Sequence, residues 1–279
     1  MLALTKPRLA LFSILSGMAG YGVTYTDPES GPWFVLAGLA LSAGGALSLN
    51  QWWERDTDRR MRRTAQRPLP RGEISSEAAL AWSILLSAGG IGIFLLCDSP
   101  VAAVIAAATI VIYGLVYTPL KRRTRWATEI GSISGALPPL IGAAAAGDSG
   151  AKSAWLLAVI LIFWQMPHFF AIGWMHRDDY RRAGFPLLPA IDVAGHRTAG
   201  WSLFYTLGLV AGSLAPWALG WVGPVYGVVA AMGGLGLLVA SVRFLRQTET
   251  RDRCGRDLFL TSIVYLPPVM AALVIDRWV

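Results

Sequence analysis

The sequence is short of charge. Only 15% of its 279 residues are Asp, Glu, Lys or Arg, against about a quarter in an ordinary soluble domain. The deficit is concentrated, because Leu9–Tyr25, Trp33–Leu49 and Val101–Leu120 contain no charged side chain. Each approaches the roughly 20 apolar residues that cross a bilayer. Length alone would suggest one or two soluble domains, and these runs exclude that reading. Cysteine is equally scarce: Cys97 and Cys254 fall outside any metal-ligand or redox spacing, so thiol chemistry has no framework here. Also lacking is a small-residue cleavage site after the first apolar run, which follows Lys6 and Arg8. That run is therefore expected to be a retained first helix, not a signal peptide.

What is present is a series of apolar stretches. They predict an all-α polytopic membrane protein, a bundle of about nine transmembrane helices forming one domain over residues 1–279. The spans fall near 9–26, 32–50, 78–97, 100–119, 129–147, 153–173, 201–219, 223–242 and 259–276. The Gly- and Ala-rich stretch from Gly131 to Gly147 suits close helix packing in lipid. Pro138 and Pro139, Pro167, and Pro267 with Pro268 are expected to break or kink their spans.

The connections alternate in charge. Lys6 and Arg8, then Arg55–Arg71, Lys121–Arg125, Arg177–Arg197 and Arg243–Arg256, fall on one side. Asp27, Glu29, Asp98 and Asp148 fall on the other, with only Lys152 and Arg277 basic there. The positive-inside rule then places the N-terminus and the basic loops in the cytoplasm and the C-terminus outside. The net charge of +7 belongs to those inner loops, so it does not argue for nucleic acid. The setting is a cell membrane with the active site toward the cytoplasm.

The densest constellation begins at Asn50. Asn50, Glu54 and Asp58 stand at i, i+4 and i+8, so a helix continuing past the second span stacks them on one face. Three oxygen ligands on a rigid stripe suit a hard cation such as Mg²⁺, which takes a few carboxylates together with phosphate oxygens and water. Asp56 points elsewhere on such a helix. Arg62, Arg63 and Arg67 offer forked donors for phosphate. A solvated, mixed-charge helix end lying against anionic lipid is the plainer alternative.

Two further segments bear on it. Tyr117-Thr-Pro-Leu-Lys121-Arg122-Arg123 closes the fourth span with a second phosphate-compatible cluster, or with an ordinary basic anchor. Near the end of the sixth span, His168 lies among aromatics, and Asp178 and Asp179 follow. A histidine inside an apolar span is costly unless it faces a cavity or a partner. On a continuous helix Asp179 falls nearly under His168. Asp178 and Asp179 either hold a second Mg²⁺ or pair with Arg181 and Arg182. Acidic ligands, basic loops and an apolar cavity below them suit a substrate with a diphosphate head and a hydrocarbon tail.

Five segments together resemble the UbiA-type intramembrane prenyltransferase superfamily, and within it the branch that acts on haem. They are Leu4-Thr-Lys-Pro-Arg8; Asn50 through Asp58; Arg67-Pro-Leu-Pro-Arg-Gly72; Tyr117-Thr-Pro-Leu-Lys-Arg; and Pro167-His-Phe with Asp178-Asp-Tyr and Ala183-Gly-Phe-Pro. The resemblance implies Mg²⁺ as cofactor and farnesyl diphosphate and haem B as substrates. C1 of the farnesyl group would join a vinyl group, and water would capture the resulting cation to give haem O. It implies Asn50, Glu54 and Asp58 as the first acidic motif and Asp178 and Asp179 as the second, with Asn50, Glu54, Asp58 and Asp179 as metal ligands. Arg62, Arg67, Lys121 and Arg122 would bind diphosphate, and Tyr117 and His168 would line the substrate. Glu54 and His168 replace the Asp usual in the superfamily, as in the haem branch. His168 is then a candidate contact for haem iron, haem propionate or diphosphate. A downstream haem-modifying enzyme is an implied partner.

Three other readings compete. A related prenyltransferase would use a quinone or chlorophyll precursor. An organic-anion transporter would need polar groups running through to the outer side, whereas the ionisable residues here crowd the inner ends. A non-catalytic assembly factor would need no acidic stripe.

Overall fold

Proline and serine mark where many of the helices begin. Pro7, Pro100, Pro138 and Pro224 each occupy a first helical position, where the missing N–H costs nothing. Ser75 caps its helix by accepting from Ala78 N at 3.1 Å. The computed structural model describes residues 1–25 and 31–276, and every regular element among them is helical. After a short 3₁₀ turn, Leu2–Thr5, come α1 (Pro7–Thr24), α2 (Trp33–Asp58), α3 (Ser76–Leu96) and α4 (Pro100–Leu120). Then follow α5 (Ala127–Ala136), α6 (Pro138–Ala145), α7 (Lys152–Met175), α8 (Arg177–Arg182) and α9 (Leu188–Ile191). The chain closes with α10 (His196–Ala218), α11 (Pro224–Arg246) and α12 (Arg251–Asp276).

Six of these, α2, α3, α4, α7, α11 and α12, are long and apolar enough to cross a membrane. The other three predicted spans coincide with α1, with the α5–α6 pair and with α10. Asp27, Glu29 and Arg277, on which part of the orientation argument rests, lie outside the described residues.

The chain divides into two compact units. The first comprises Met1–Ala158 with Arg182–Phe185. Within it, α1 and α6 touch backbone to backbone. A Cβ on Gly20 would run into the Pro139 carbonyl, and one on Gly142 into the Gly17 carbonyl, so only glycine permits this approach. Tyr21, Val35, Leu39, Phe94 and Ile141 form a core beside it. The predicted break in the fifth span occurs at Leu137, between α5 and α6. One feature has no signal in the sequence: Val111–Tyr117 in α4 forms a π-helical segment. Thr118 Oγ1 donates to the Tyr113 carbonyl at 2.7 Å just beyond it, and such segments commonly mark functional positions.

The second unit comprises Val159–Arg181 and Pro186–Val279. Met166, Phe170 and Leu188 pack there with Trp201 and Tyr205. The buried Arg251 donates to the carbonyls of Phe244, Leu245 and Ala194, fastening the end of α11 to the loop before α10. Asp192 accepts from Thr198 N at 2.7 Å and Thr198 Oγ1 at 2.9 Å, capping the start of α10. Two expectations are corrected here. No break occurs at Pro167 or at Pro267–Pro268, and α7 and α12 each continue through them. Apolar helices tolerate interior proline where neighbouring helices, hydroxyl side chains or local adjustment satisfy the freed backbone groups. The helix carrying His168 is not continuous to Asp179. It turns at His176, so the two residues lie on separate elements, α7 and α8.

Candidate active site

The stripe on α2 forms as its spacing predicts. Asn50, Glu54 and Asp58 are 1%, 5% and 0% exposed, whereas the Asp56 side chain is exposed and meets only Arg55 and Arg59 at 4.0 and 3.7 Å. Buried carboxylates need partners, and each buried member of the stripe has a cationic one. Lys6 Nζ donates to Asn50 Oδ1 at 2.7 Å. Lys121 Nζ meets Glu54 Oε1 at 2.6 Å. Arg67 Nη1 meets Asp58 Oδ2 at 2.6 Å.

Local structure explains how each cation arrives. The chain after α2 turns tightly, with Thr64 Oγ1 donating to the Asp58 carbonyl at 3.0 Å and Met61 and Leu69 buried beneath. This turn returns Arg67 to the helix end it left. Lys121 follows the π-helical segment and lies over the rings of Tyr117 and Phe185, 5.3 and 5.4 Å from their centroids. Thr118, on the same stretch, accepts from Asn50 Nδ2 at 3.1 Å. The amide is thereby oriented with its oxygen toward Lys6. Lys6 adopts a left-handed conformation, φ 45°, unusual for a residue with a side chain. Burial, and next the Arg67 charge, push its ammonium pKa down to about 7, with Glu54 pulling the other way.

Two of the predicted donors lie at the surface. Arg62 is exposed. Arg122 is also exposed and donates to the Trp53 carbonyl at 3.3 Å and Thr57 Oγ1 at 3.2 Å. In the second unit, Asp178 is exposed and meets Arg181 at 3.3 Å, one of the two outcomes the sequence left open. Asp179 is buried, its N–H bonded to the His176 carbonyl at 3.0 Å. The His168 ring lies 5.0 Å from that of Trp164 and 5.0 Å from that of Phe259. Lys6 and Thr118 were not candidates. The only hint of Lys6 was its place in the Leu4–Arg8 segment.

Among the described residues no three His, Cys, Asp or Glu side chains group as a metal site. The α2 stripe offers instead two carboxylates and an amide oxygen, all hard donors. One observation fits a cation there: Asp58 Oδ1 is buried and has no hydrogen-bond partner, a cost that a native structure tolerates for a reason.

A helical membrane protein with an acidic stripe met by lysine and arginine on the same helix end has the features of a multi-pass prenyltransferase. The chain belongs to the UbiA prenyltransferase family, whose sequence pattern matches residues 10–263. It is 44% identical to a protoheme IX farnesyltransferase of Opitutus terrae, over 99% of this chain and 94% of that one. It is 38% identical to the protoheme IX farnesyltransferase of Solibacter usitatus, over 98% and 97%. Its fold resembles that of a UbiA homolog from Aeropyrum pernix K1, with TM-score 0.74, 19% identity and coverage of 98% and 99%. A UbiA homolog from Archaeoglobus fulgidus bound to GPP and Mg²⁺ has TM-score 0.69 at 16% identity, with 98% of each chain covered.

Proposed function

We propose that this enzyme transfers the farnesyl group of farnesyl diphosphate to a vinyl group of haem B. The C1–oxygen bond breaks with its electron pair leaving on diphosphate. C1 bonds to the terminal vinyl carbon, and water adds at the neighbouring carbon with loss of a proton, giving haem O. The full-length similarity to protoheme IX farnesyltransferases favours haem over a quinone or chlorophyll precursor as acceptor, and the family assignment stands against a transporter. One domain over residues 1–279, nine spans, the N-terminus and active site at the cytoplasmic face and the C-terminus outside complete the reading. The basic inner loops support that orientation in a cell membrane.

The observation that carries the site is the set of acids on α2 matched by bases brought to them from other segments. Glu54 and Asp58 face three cations, Lys6, Lys121 and Arg67. An incoming diphosphate draws Lys121 and Arg67 toward its own oxygens, since forked and ammonium donors favour phosphate. Glu54, Asp58 through its unpartnered Oδ1, and Asn50 through Oδ1 would then be free to hold Mg²⁺. When bound, that ion would neutralise charge on the departing diphosphate. Lys6, Lys121 and Arg67 hold the leaving group as its charge grows, and Arg122 and Arg62 extend the donors outward. Tyr117 walls the site beside Lys121. Asp178 and Asp179 are assigned as the second acidic motif, and Asp179 as a metal ligand, from the family resemblance.

The test is turnover of purified protein with haem B, farnesyl diphosphate and Mg²⁺, followed by mass spectrometry with and without EDTA. A Mg²⁺-dependent product gaining one farnesyl group and one water is expected. Prenylation of an aromatic acid in place of haem would refute the acceptor while leaving the family intact.

A further inference from the structure

The hydrogen bonding around His168 determines which of its two nitrogens is free. Ser262 Oγ lies 2.6 Å from the Phe259 carbonyl and 2.9 Å from His168 Nδ1. Two oxygens at 2.6 Å must share a hydrogen, and a carbonyl has none to give. The single Ser262 hydroxyl proton therefore points at Phe259. His168 Nδ1 must carry its own proton and donate it to Ser262 Oγ. A neutral imidazole protonated at Nδ1 has its lone pair at Nε2.

That lone pair is placed like a ligand. The ring is held flat against Trp164, with 22° between planes, and tilted 35° against Phe259. Phe169 meets it edge-on at 5.6 Å, so three aromatic rings hold the imidazole. Nε2 has no hydrogen-bond partner among the described residues. Among the described residues no three His, Cys, Asp or Glu side chains group as a metal site, so His168 belongs to no such cluster. An imidazole fixed by an Nδ1–H bond, with Nε2 bare, is the arrangement that metal-binding histidines adopt. The metal it suits must come with the substrate.

We infer that His168 Nε2 is an axial ligand to the iron of the haem substrate. It anchors the porphyrin by its centre, so that a vinyl group is presented at a fixed distance from the anchor. Ser262 is a positioning residue that sets the tautomer, and Trp164 and Phe259 hold the ring plane. The inference rests on the reading of haem as acceptor. It also explains how a mostly apolar substrate could be oriented without a charged side chain beside the ring: a single coordinate bond fixes the iron, and the flat ring does the rest.

The experiment uses the full-length protein in detergent, titrated with ferric haem B and followed by absorbance and electron paramagnetic resonance. Wild type is expected to give an imidazole-ligated spectrum. His168→Ala should lose that spectrum and bind haem at least about 10-fold more weakly, and added imidazole should restore the ligated spectrum. Ser262→Ala should keep the ligation but weaken it by about 10-fold, the usual consequence of losing a partner behind a ligand. His168→Gln, with circular dichroism on all variants, separates a ligand effect from misfolding, because a correctly folded Gln variant must also lose the spectrum. An identical haem spectrum in wild type and a folded His168→Ala protein would overturn the inference while haem remained the acceptor. A histidine acting only as a proton acceptor would give that result together with slow turnover. No haem binding and no haem product in wild type would instead remove the acceptor assignment itself.

Discussion

Arg67→Met offers the sharpest test of the paired site, because the two members of the Arg67–Asp58 pair are buried to different degrees. Asp58 is completely buried and the Arg67 side chain is 22% exposed, with 2.6 Å between their charged atoms. Removing the arginine leaves a buried carboxylate with no water and no bonded countercharge, only the through-space charge of Lys6. Breaking a buried pair in this way costs about 3–5 kcal/mol, and partial exposure of the pair places the expected loss at about 3 kcal/mol. Removing the acid instead, with Asp58→Asn, leaves an arginine that water can reach, and should cost about 1 kcal/mol. The double variant Asp58→Asn/Arg67→Met should recover about 2 kcal/mol relative to Arg67→Met, since the stranded charge is gone. Mg²⁺ should restore part of the stability of Arg67→Met and none to the double variant. The assay is thermal unfolding in detergent, at low and at millimolar Mg²⁺, with denaturant unfolding where it is reversible. Equal stabilities for Arg67→Met and Asp58→Asn, or a double variant no better than Arg67→Met, would refute the reasoning.

Other outcomes follow from the same geometry. Lys121→Met frees Glu54 from its 2.6 Å partner and should tighten Mg²⁺ binding in the absence of diphosphate, read by calorimetry, while lowering turnover at least about 10²-fold. Asp56→Ala, on the exposed side of α2 with only long surface pairs, should leave stability within about 0.5 kcal/mol and turnover within about twofold. Gly142→Ala drives a methyl group into the Gly17 carbonyl and should cost about 3 kcal/mol, whereas Gly92→Ala, with nothing within 4 Å of its Cβ, should be neutral in the same unfolding assay.

The acidic stripe was legible because helical spacing alone decides which side chains share a face, and Asn50, Glu54 and Asp58 needed nothing else. The break before Pro138 was legible from the proline pair, although the same pairing at Pro267–Pro268 leaves α12 unbroken. Lys6 was not, because its contact with Asn50 depends on a left-handed residue and on the docking of a segment 44 residues away. Nor was the π-helical segment before Lys121, which no composition or period announces. At Pro167 and at Pro267–Pro268 the helix continues. The proline penalty is local, but in an apolar helix the outcome is decided by neighbours from other elements. The reading of Asp179 beneath His168 failed because it assumed one helix across a turn at His176.

The sequence presents acids and bases as two separate sets, one for metal and one for phosphate, while the structure joins them to each other. That pairing has a physical necessity. Glu54 and Asp58 are 5% and 0% exposed, and carboxylates so deeply buried need countercharges when neither Mg²⁺ nor diphosphate is bound. Bases that could reach only the substrate would leave the acids stranded, and acids that could reach only the metal would leave Lys6 and Arg67 repelling one another. Ligand binding therefore exchanges partners and does not create charges, so metal and diphosphate should each assist the other's entry. A variant that loses a base should uncouple them before it loses the fold, which is why binding and stability must be measured on the same variants.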